Sequence, residues 1–389
     1  MLGQMATSLY VPSLPYIDDE LAAGPTVVKL TMTVFLWAFA LSQLIYGPLS
    51  DRYGRKPVLL LGIAIYVLGS LLCALAHDID ALLFGRFLQG VGACAGSIYR
   101  AVIRDLFDRA GGARVLAAMA AAVALGPAIG PMIGGELQVT FGWRSGFVVL
   151  IALGITVGAA VLVALPESNP QLDPRATRPQ QVAHNYRLLL SNRTFLGYIL
   201  IVGGQYAGLL VYTTGLPFVL IDLHGFAANE LGYVFVFTVA GFFVGAWASG
   251  RLLVRGVGPD RVMRLGSLIQ LTGAVAMLAF ALPGTPTPTM IVAPQILFMV
   301  GFGLIVPSAL SSSVTPFPLI AGTAAALLGF FQMVIAGGAV MLLAAVYAGN
   351  ATPMATIIFA TALAAAAGLF VLVRPPASNP RFPDLSRGN

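Results

Sequence analysis

Uninterrupted apolar runs, almost all long enough to cross a lipid bilayer as an α-helix, recur twelve times along this chain of 389 residues. A helix rises about 1.5 Å per residue, so about 20 apolar residues traverse a hydrocarbon core about 30 Å thick. The runs fall at 1–17, 27–48, 58–76, 81–103, 114–138, 145–165, 194–221, 230–250, 262–282, 289–313, 320–347 and 353–373, separated by charges and Pro/Gly clusters. Composition agrees. The chain is 58% hydrophobic and 9% charged, whereas a soluble domain carries about 25% charge. The predicted fold class is therefore an all-α integral membrane protein of twelve transmembrane helices. A polar, Pro-, Gln- and Arg-rich stretch at 166–193 divides it into six-helix halves at 1–165 and 194–373, with a tail at 374–389.

Basic residues set the orientation. Seventeen of the 21 lie on one side: Arg52, Arg55 and Lys56; Arg104, Arg109 and Arg114; Arg175, Arg178, Arg187 and Arg193; Arg251, Arg255, Arg261 and Arg264; and Arg374, Arg381 and Arg387. The other side holds Lys29 and Arg144 among Asp18, Asp19, Glu20, Asp78, Asp80, Asp222 and Glu230. By the positive-inside rule both termini are expected in the cytoplasm. The net charge of +6 is thus topological, and no nucleic-acid partner is expected. Cys73 and Cys94 sit in apolar stretches with no ligand spacing, so neither a metal site nor a disulfide framework is expected. Met1 to Ile17 lacks the basic start and cleavage site of a signal peptide. The first span is short at its inner end, as expected of a chain that starts late.

The loop after span 2 reads Gly47-Pro48-Leu49-Ser50-Asp51-Arg52-Tyr53-Gly54-Arg55-Lys56-Pro57. It resembles the signature loop of the major facilitator superfamily at nearly every position. That resemblance implies a transporter with two pseudo-symmetric halves around a site that opens alternately to each side. The halves echo each other, since Gly245-Ala-Trp-Ala-Ser-Gly-Arg251 follows span 8. Asp51 is expected to pair with Arg55 across the turn that Gly54 permits, and Asp105 to complete the cluster. In the family such a cluster holds the halves closed on the inner side.

Two further stretches extend the resemblance. Arg86-Phe-Leu-Gln89-Gly90-Val-Gly92 in span 4 is similar to the buried-arginine motif of proton-driven members. A guanidinium at that depth needs a cavity or a polar partner, or else snorkels to the outer interface. Arg100, nearly four turns further in, either snorkels to the inner face or joins the inner cluster. In span 5, Gly126-Pro127-Ala-Ile-Gly130-Pro131-Met-Ile-Gly134-Gly135 puts glycines every fourth residue on one ridge, where a neighbouring helix can approach closely. This pattern resembles the signature of the family's exporters.

Tyr10-Val-Pro12-Ser-Leu-Pro15, Tyr212 to Phe218, and Ala321 to Gly329 are similar to the bicyclomycin and chloramphenicol resistance (Bcr/CflA-type) exporters. Those exporters usually carry an acid two places before the span-1 tyrosine; Ser8 stands there. Glu136 is the other acid well inside a span. It is either a proton carrier paired with Arg86 or Arg144, or an interfacial carboxylate. The resemblance implies a cavity lined by spans 1, 4, 7 and 10, with Tyr10, Gln205, Tyr206, Tyr212, Phe218, Gln295, Phe298 and Phe302 as candidates. Aromatic walls with a few amides suit a lipophilic, neutral or weakly cationic ligand. Lipid-facing or packing roles stay open for each of them.

The expected function is proton-coupled efflux of lipophilic drugs, by a monomer in a bacterial cytoplasmic membrane, with no cofactor and a proton gradient as energy source. Transport of a natural metabolite such as a sugar, amino acid or siderophore is the alternative. An intramembrane enzyme would need a catalytic constellation at depth; His77, His184 and His224 lie in loops, and no HExxH or GxSxG pattern occurs. No GxxxxGK[ST] loop couples ATP.

Overall fold

The structure, a computed structural model, describes residues 2–94, 98–106, 115, 126, 129–169, 179–284, 286–317, 320–347 and 349–373. Span 1 is α1 (Leu2–Ser8), a 3-10 turn (Val11–Ser13) and α2 (Leu14–Leu21). Pro12 and Pro15 cause the break, because each lacks an N–H and crowds the carbonyl a turn earlier. Spans 2 and 3 are α3 (Pro25–Tyr53) and α4 (Arg55–Ala74). Gly54 parts them at φ +99°, a backbone angle that side chains disfavour. Span 4 is α5 (Ile79–Ala93), whose Asp78 cap accepts from Ala81 N at 2.8 Å, followed by α6 (Tyr99–Leu106). The described outer part of span 5 is α7 (129–141), and span 6 is α8 (Arg144–Ala164).

The stretch expected to be a plain linker contains a helix, α9 (Pro179–Leu190), with His184 inside it. Its Leu189 is fully buried beside Phe195 and Phe317, so the linker docks on the second half. That half comprises α10 (Arg193–Pro217), α11 (Ala228–Val254), α12 (Pro259–Ala281), α13 (Pro288–Val314), α14 (Ala321–Val346) and α15 (Thr352–Ala367). One π-helical turn extends α10 to Asp222 and another extends α15 to Leu372. Among the described residues, nine helices are long and apolar enough to cross a membrane.

Glycines bring backbones together at matching places in the two halves. In the first, a Cβ on Gly92 would strike the Tyr66 amide, and one on Gly90 the Phe35 carbonyl. In the second, Gly273 faces the Pro294 carbonyl and Gly303 the Phe242 carbonyl. Spans 3 and 4 thus pack as spans 9 and 10 do, and spans 2 and 4 as spans 8 and 10.

The halves meet along α3 and α14, where Thr26 Oγ1 donates to Ala344 O at 3.0 Å, Thr33 Oγ1 to Gly337 O at 3.3 Å and Trp37 Nε1 to Val334 O at 3.2 Å. They also meet along α7 and α11, where Gly135 abuts the Ala228 carbonyl and Gly232 the Met132 backbone. Taking the basic loops as inner, the outer mouth is sealed by Leu14 and Ile17 against Leu216, Phe218 and Leu220, all fully buried.

Gly92→Val should cost about 3 kcal/mol by forcing α4 and α5 apart, lowering the unfolding midpoint of the purified protein. Gly338, with open space at its Cβ position, should accept alanine within about 0.5 kcal/mol.

Candidate functional site: two charge clusters and a glycine ridge

The inner loop forms a compact cluster. Arg55, nearly buried, reaches Asp51 at 2.5 Å, Asp105 at 3.2 Å and Ser50 Oγ at 2.6 Å. Gly54 N donates to Ser50 O at 3.1 Å and closes the turn. Asp51, Arg55 and Asp105 are therefore brought together. A fourth member was not singled out from the sequence: Glu167, just past span 6, accepts from the amides of Arg55 at 2.9 Å, Lys56 at 3.1 Å and Asn169 at 3.0 Å. A carboxylate there meets free N–H groups and the positive end of the α4 dipole. Burial pushes the Glu167 carboxyl up, but the backbone donors outweigh it and hold its pKa below the usual range. Asn169 Nδ2 donates to Asp51 O at 3.2 Å, Lys56 Nζ to Leu162 O at 2.9 Å, and Arg52 lies over the Tyr53 ring. The described partners all belong to the first half or the start of the linker. Through these partners the cluster braces the inner ends of spans 2, 3, 4 and 6 together.

Arg86 does not snorkel. It is entirely buried, with Nη1 donating to Ala6 O at 3.0 Å and to Gln89 Oε1, and Nη2 lying 3.5 Å from Met32 Sδ. The rings of Tyr10 and Phe35 flank its guanidinium at 4.5 and 4.3 Å, a cation–π arrangement that partly replaces water. Gln89 Nε2 in turn donates to Ser70 Oγ at 2.8 Å. Tyr10 is thus committed to the core, sharing a 2.7 Å hydrogen bond with Thr31 and packing on Phe147. No carboxylate pairs with Arg86 among the described residues.

Of the two readings of Glu136, its pairing with Arg86 or Arg144 is not found among the described residues. Arg144 holds Glu20, donates to Ala76 O at 2.8 Å and covers Trp143, while Glu136 is exposed. Arg100 lies in α6 with its side chain outside the described residues, as is Pro127.

The ridge has close neighbours. Cβ atoms on Gly130 and Gly134 would fall on Ser8 Cβ and the Leu9 carbonyl, and one on Gly135 on the Ala228 carbonyl; Gly126 faces Gln4 at 3.4 Å. Pro131 is buried beside them. Ser8 is therefore pressed against span 5.

The cavity candidates do not form one wall. Gln205 and Gln270 exchange hydrogen bonds at 2.7 Å, tying span 7 to span 9. Tyr206 packs on Phe302, which packs on Phe242. Phe298 closes against Gly208. One turn outward of that contact stand Tyr212 and Gln295; among the described residues, the Tyr212 Oη and both amide atoms of Gln295 have no hydrogen-bond partner. Phe218 lies apart at the outer mouth, against Tyr347.

Two helical halves, meeting along paired helices and carrying this inner loop, define a polytopic membrane transporter. The family profile described as Major Facilitator Superfamily matches residues 1–340. The chain belongs to that superfamily. It is 30% identical over 381 residues to the uncharacterized MFS-type transporter YdgK of Bacillus subtilis (strain 168), covering 96% of this chain and 93% of that one. It is 29% identical to multidrug resistance protein D of Escherichia coli (strain K12), covering 86% and 84%, and 27% identical to a bicyclomycin resistance protein homolog of Haemophilus influenzae, covering 91% and 89%. Its fold matches the crystal structure of a D-xylose-proton symporter with a TM-score of 0.76 at 15% identity, covering 96% of both chains.

Glu167→Ala should lower stability by about 1 kcal/mol at pH 7, allowing for its exposed side. A carboxylate with a depressed pKa stabilises above its unfolded value, 4.5, and ceases to as pH falls through its folded value. Thermal unfolding of the two proteins should therefore converge below pH 4.5.

Proposed function

We propose that the chain exports lipophilic, neutral or weakly cationic drugs across a bacterial cytoplasmic membrane by alternating access, in exchange for protons. Both termini are inside, and the transporter works as a monomer. The observation that carries this reading is the span-5 ridge. Gly130 and Gly134 seat α7 against span 1, and Gly135 seats it against α11 of the other half, so neighbouring faces of one smooth helix touch its own half and the half it must rock against. Relatives named for multidrug and bicyclomycin resistance, aligned along most of both chains, support drugs as the cargo. Tyr212 and Gln295 add unpaired hydrogen-bonding groups in apolar surroundings, suited to a ligand with a few polar atoms. The cytoplasmic location of the termini is supported by the charge bias of the loops.

In bacteria stripped of their own exporters, expression should lower accumulation of labelled chloramphenicol and of a fluorescent cation, and a protonophore should abolish the difference. Asp51→Asn should lose it as well. Unchanged accumulation of both compounds would point to a natural metabolite as cargo. Gly130→Leu adds bulk where Ser8 already sits. An overpacking penalty of about 1–3 kcal/mol should cut efflux tenfold or more at an unchanged membrane level; normal efflux would remove the ridge from the mechanism.

A further inference from the structure

Lys29 stands in the second turn of α3, next to the outer face, and its side chain is entirely buried. Its ammonium lies 3.5 Å from the centroid of the Phe218 ring and 3.6 Å from that of Tyr347. Both rings belong to the second half and touch each other, with centroids 5.8 Å apart. The ammonium donates one hydrogen bond, to Pro25 O at 3.3 Å, and no carboxylate lies within ion-pair distance among the described residues. Asp18, near the end of α2, and Asp222, closing the turn after α10, are near enough to act on its charge.

A charge buried with so few hydrogen bonds costs free energy that an apolar side chain of the same length avoids. Methionine would serve a static packing role better. What the ammonium adds is an attachment between halves that is strong when dry and weak once water enters, because cation–π attraction is greatest for a desolvated ion. Lys29 moves with the first half and the two rings with the second. Separating the outer ends must withdraw the ammonium from both rings at once, and from Asp222, which travels with Phe218, while Asp18 in α2 travels with Lys29.

We propose that Lys29 is the latch of the outer gate: seated between Phe218 and Tyr347, its positive charge holds the outer mouth shut, and opening hands it to Asp18 of its own half. The proposal rests on alternating access, but not on any cargo or direction of transport. Thr26, Thr33 and Trp37 hold the same seam through neutral hydrogen bonds to carbonyls, so the seam survives loss of the charge while its outer end loosens.

The test is hydrogen exchange read by mass spectrometry on the purified full-length protein in lipid nanodiscs, with no drug added. Lys29→Met keeps the length and the apolar contact and removes the charge. It should raise the outer-open population about tenfold, seen as faster exchange in peptides covering 14–30, 212–232 and 343–356 and slower exchange at the inner ends of spans 2 and 11. Lys29→Arg, which keeps a charge that stacks on rings, should retain wild-type protection. Asp18→Asn should deepen protection at the outer ends, since the released ammonium then has no acceptor on its own half.

Wild-type protection in Lys29→Met would overturn the latch. So would faster exchange at inner and outer ends alike, which marks lost packing, or a Lys29→Arg protein that behaves as Lys29→Met. Unchanged protection in Asp18→Asn would overturn the hand-over. Because no cargo is present, a protein that exports neither test drug still answers the question.

Discussion

Lipid tails are as apolar as leucine, so burying side chains between helices supplies little net force in a membrane. Close backbone contact takes its place in this protein. Gly90 against Phe35, Gly92 against Tyr66, Gly273 against Pro294 and Gly303 against Phe242 leave no room for a Cβ. Each contact lets the neighbouring rows of side chains interlock and brings Cα–H groups near carbonyls. The same device works differently on the ridge of α7. There Gly130 and Gly134 press on span 1 of the same half, while Gly135 meets α11 of the other half, where the absence of a side chain gives a seam without interlocking teeth.

Against that frame of neutral contacts, the first half buries two cations without pairing either to a carboxylate. Among the described residues, Arg86 meets a carbonyl, an amide oxygen and two rings, with its Nε unpaired, and Lys29 meets one carbonyl and two rings. Aromatic faces stabilise a cation without presenting a counter-charge that would lock it in place. Removing one ring weakens such a site; it leaves no orphaned anion behind. The polar pairing of the second half is instead neutral, as between Gln205 and Gln270.

Helix positions were legible because a bilayer imposes one length and one polarity on every span. The run read as 289–313 is the helix Pro288–Val314, and that read as 145–165 is Arg144–Ala164. The inner loop was legible because Gly54, Asp51 and Arg55 form a local pattern. Contacts made by residues distant in sequence were not. Glu167 reads as a linker residue until the chain end of span 6 is folded back onto α4, 112 residues away. Lys29 reads as a topological marker on the outer side until Phe218 and Tyr347 arrive from the other half. The helix α9 hid in a Pro- and Arg-rich stretch, since its order comes from docking Leu189 and not from its own composition. Tyr10 was read toward a cavity because nothing local reveals that Thr31 and Arg86 claim it.

The uneven placement of buried charge has an electrical consequence. Among the described side chains, the fully buried cations are Lys29 and Arg86 of the first half, while the charged residues of the second half from Asp222 to Arg264 lie at helix ends or in loops. A transmembrane voltage exerts about 2.3 kcal/mol on a unit charge carried across 100 mV, in proportion to the fraction of the field traversed. The field therefore pulls on one half and hardly on the other. Any movement of the first half along the membrane normal that carries Arg86 through part of the field displaces charge, so a transmembrane voltage would act on that half more than on the other.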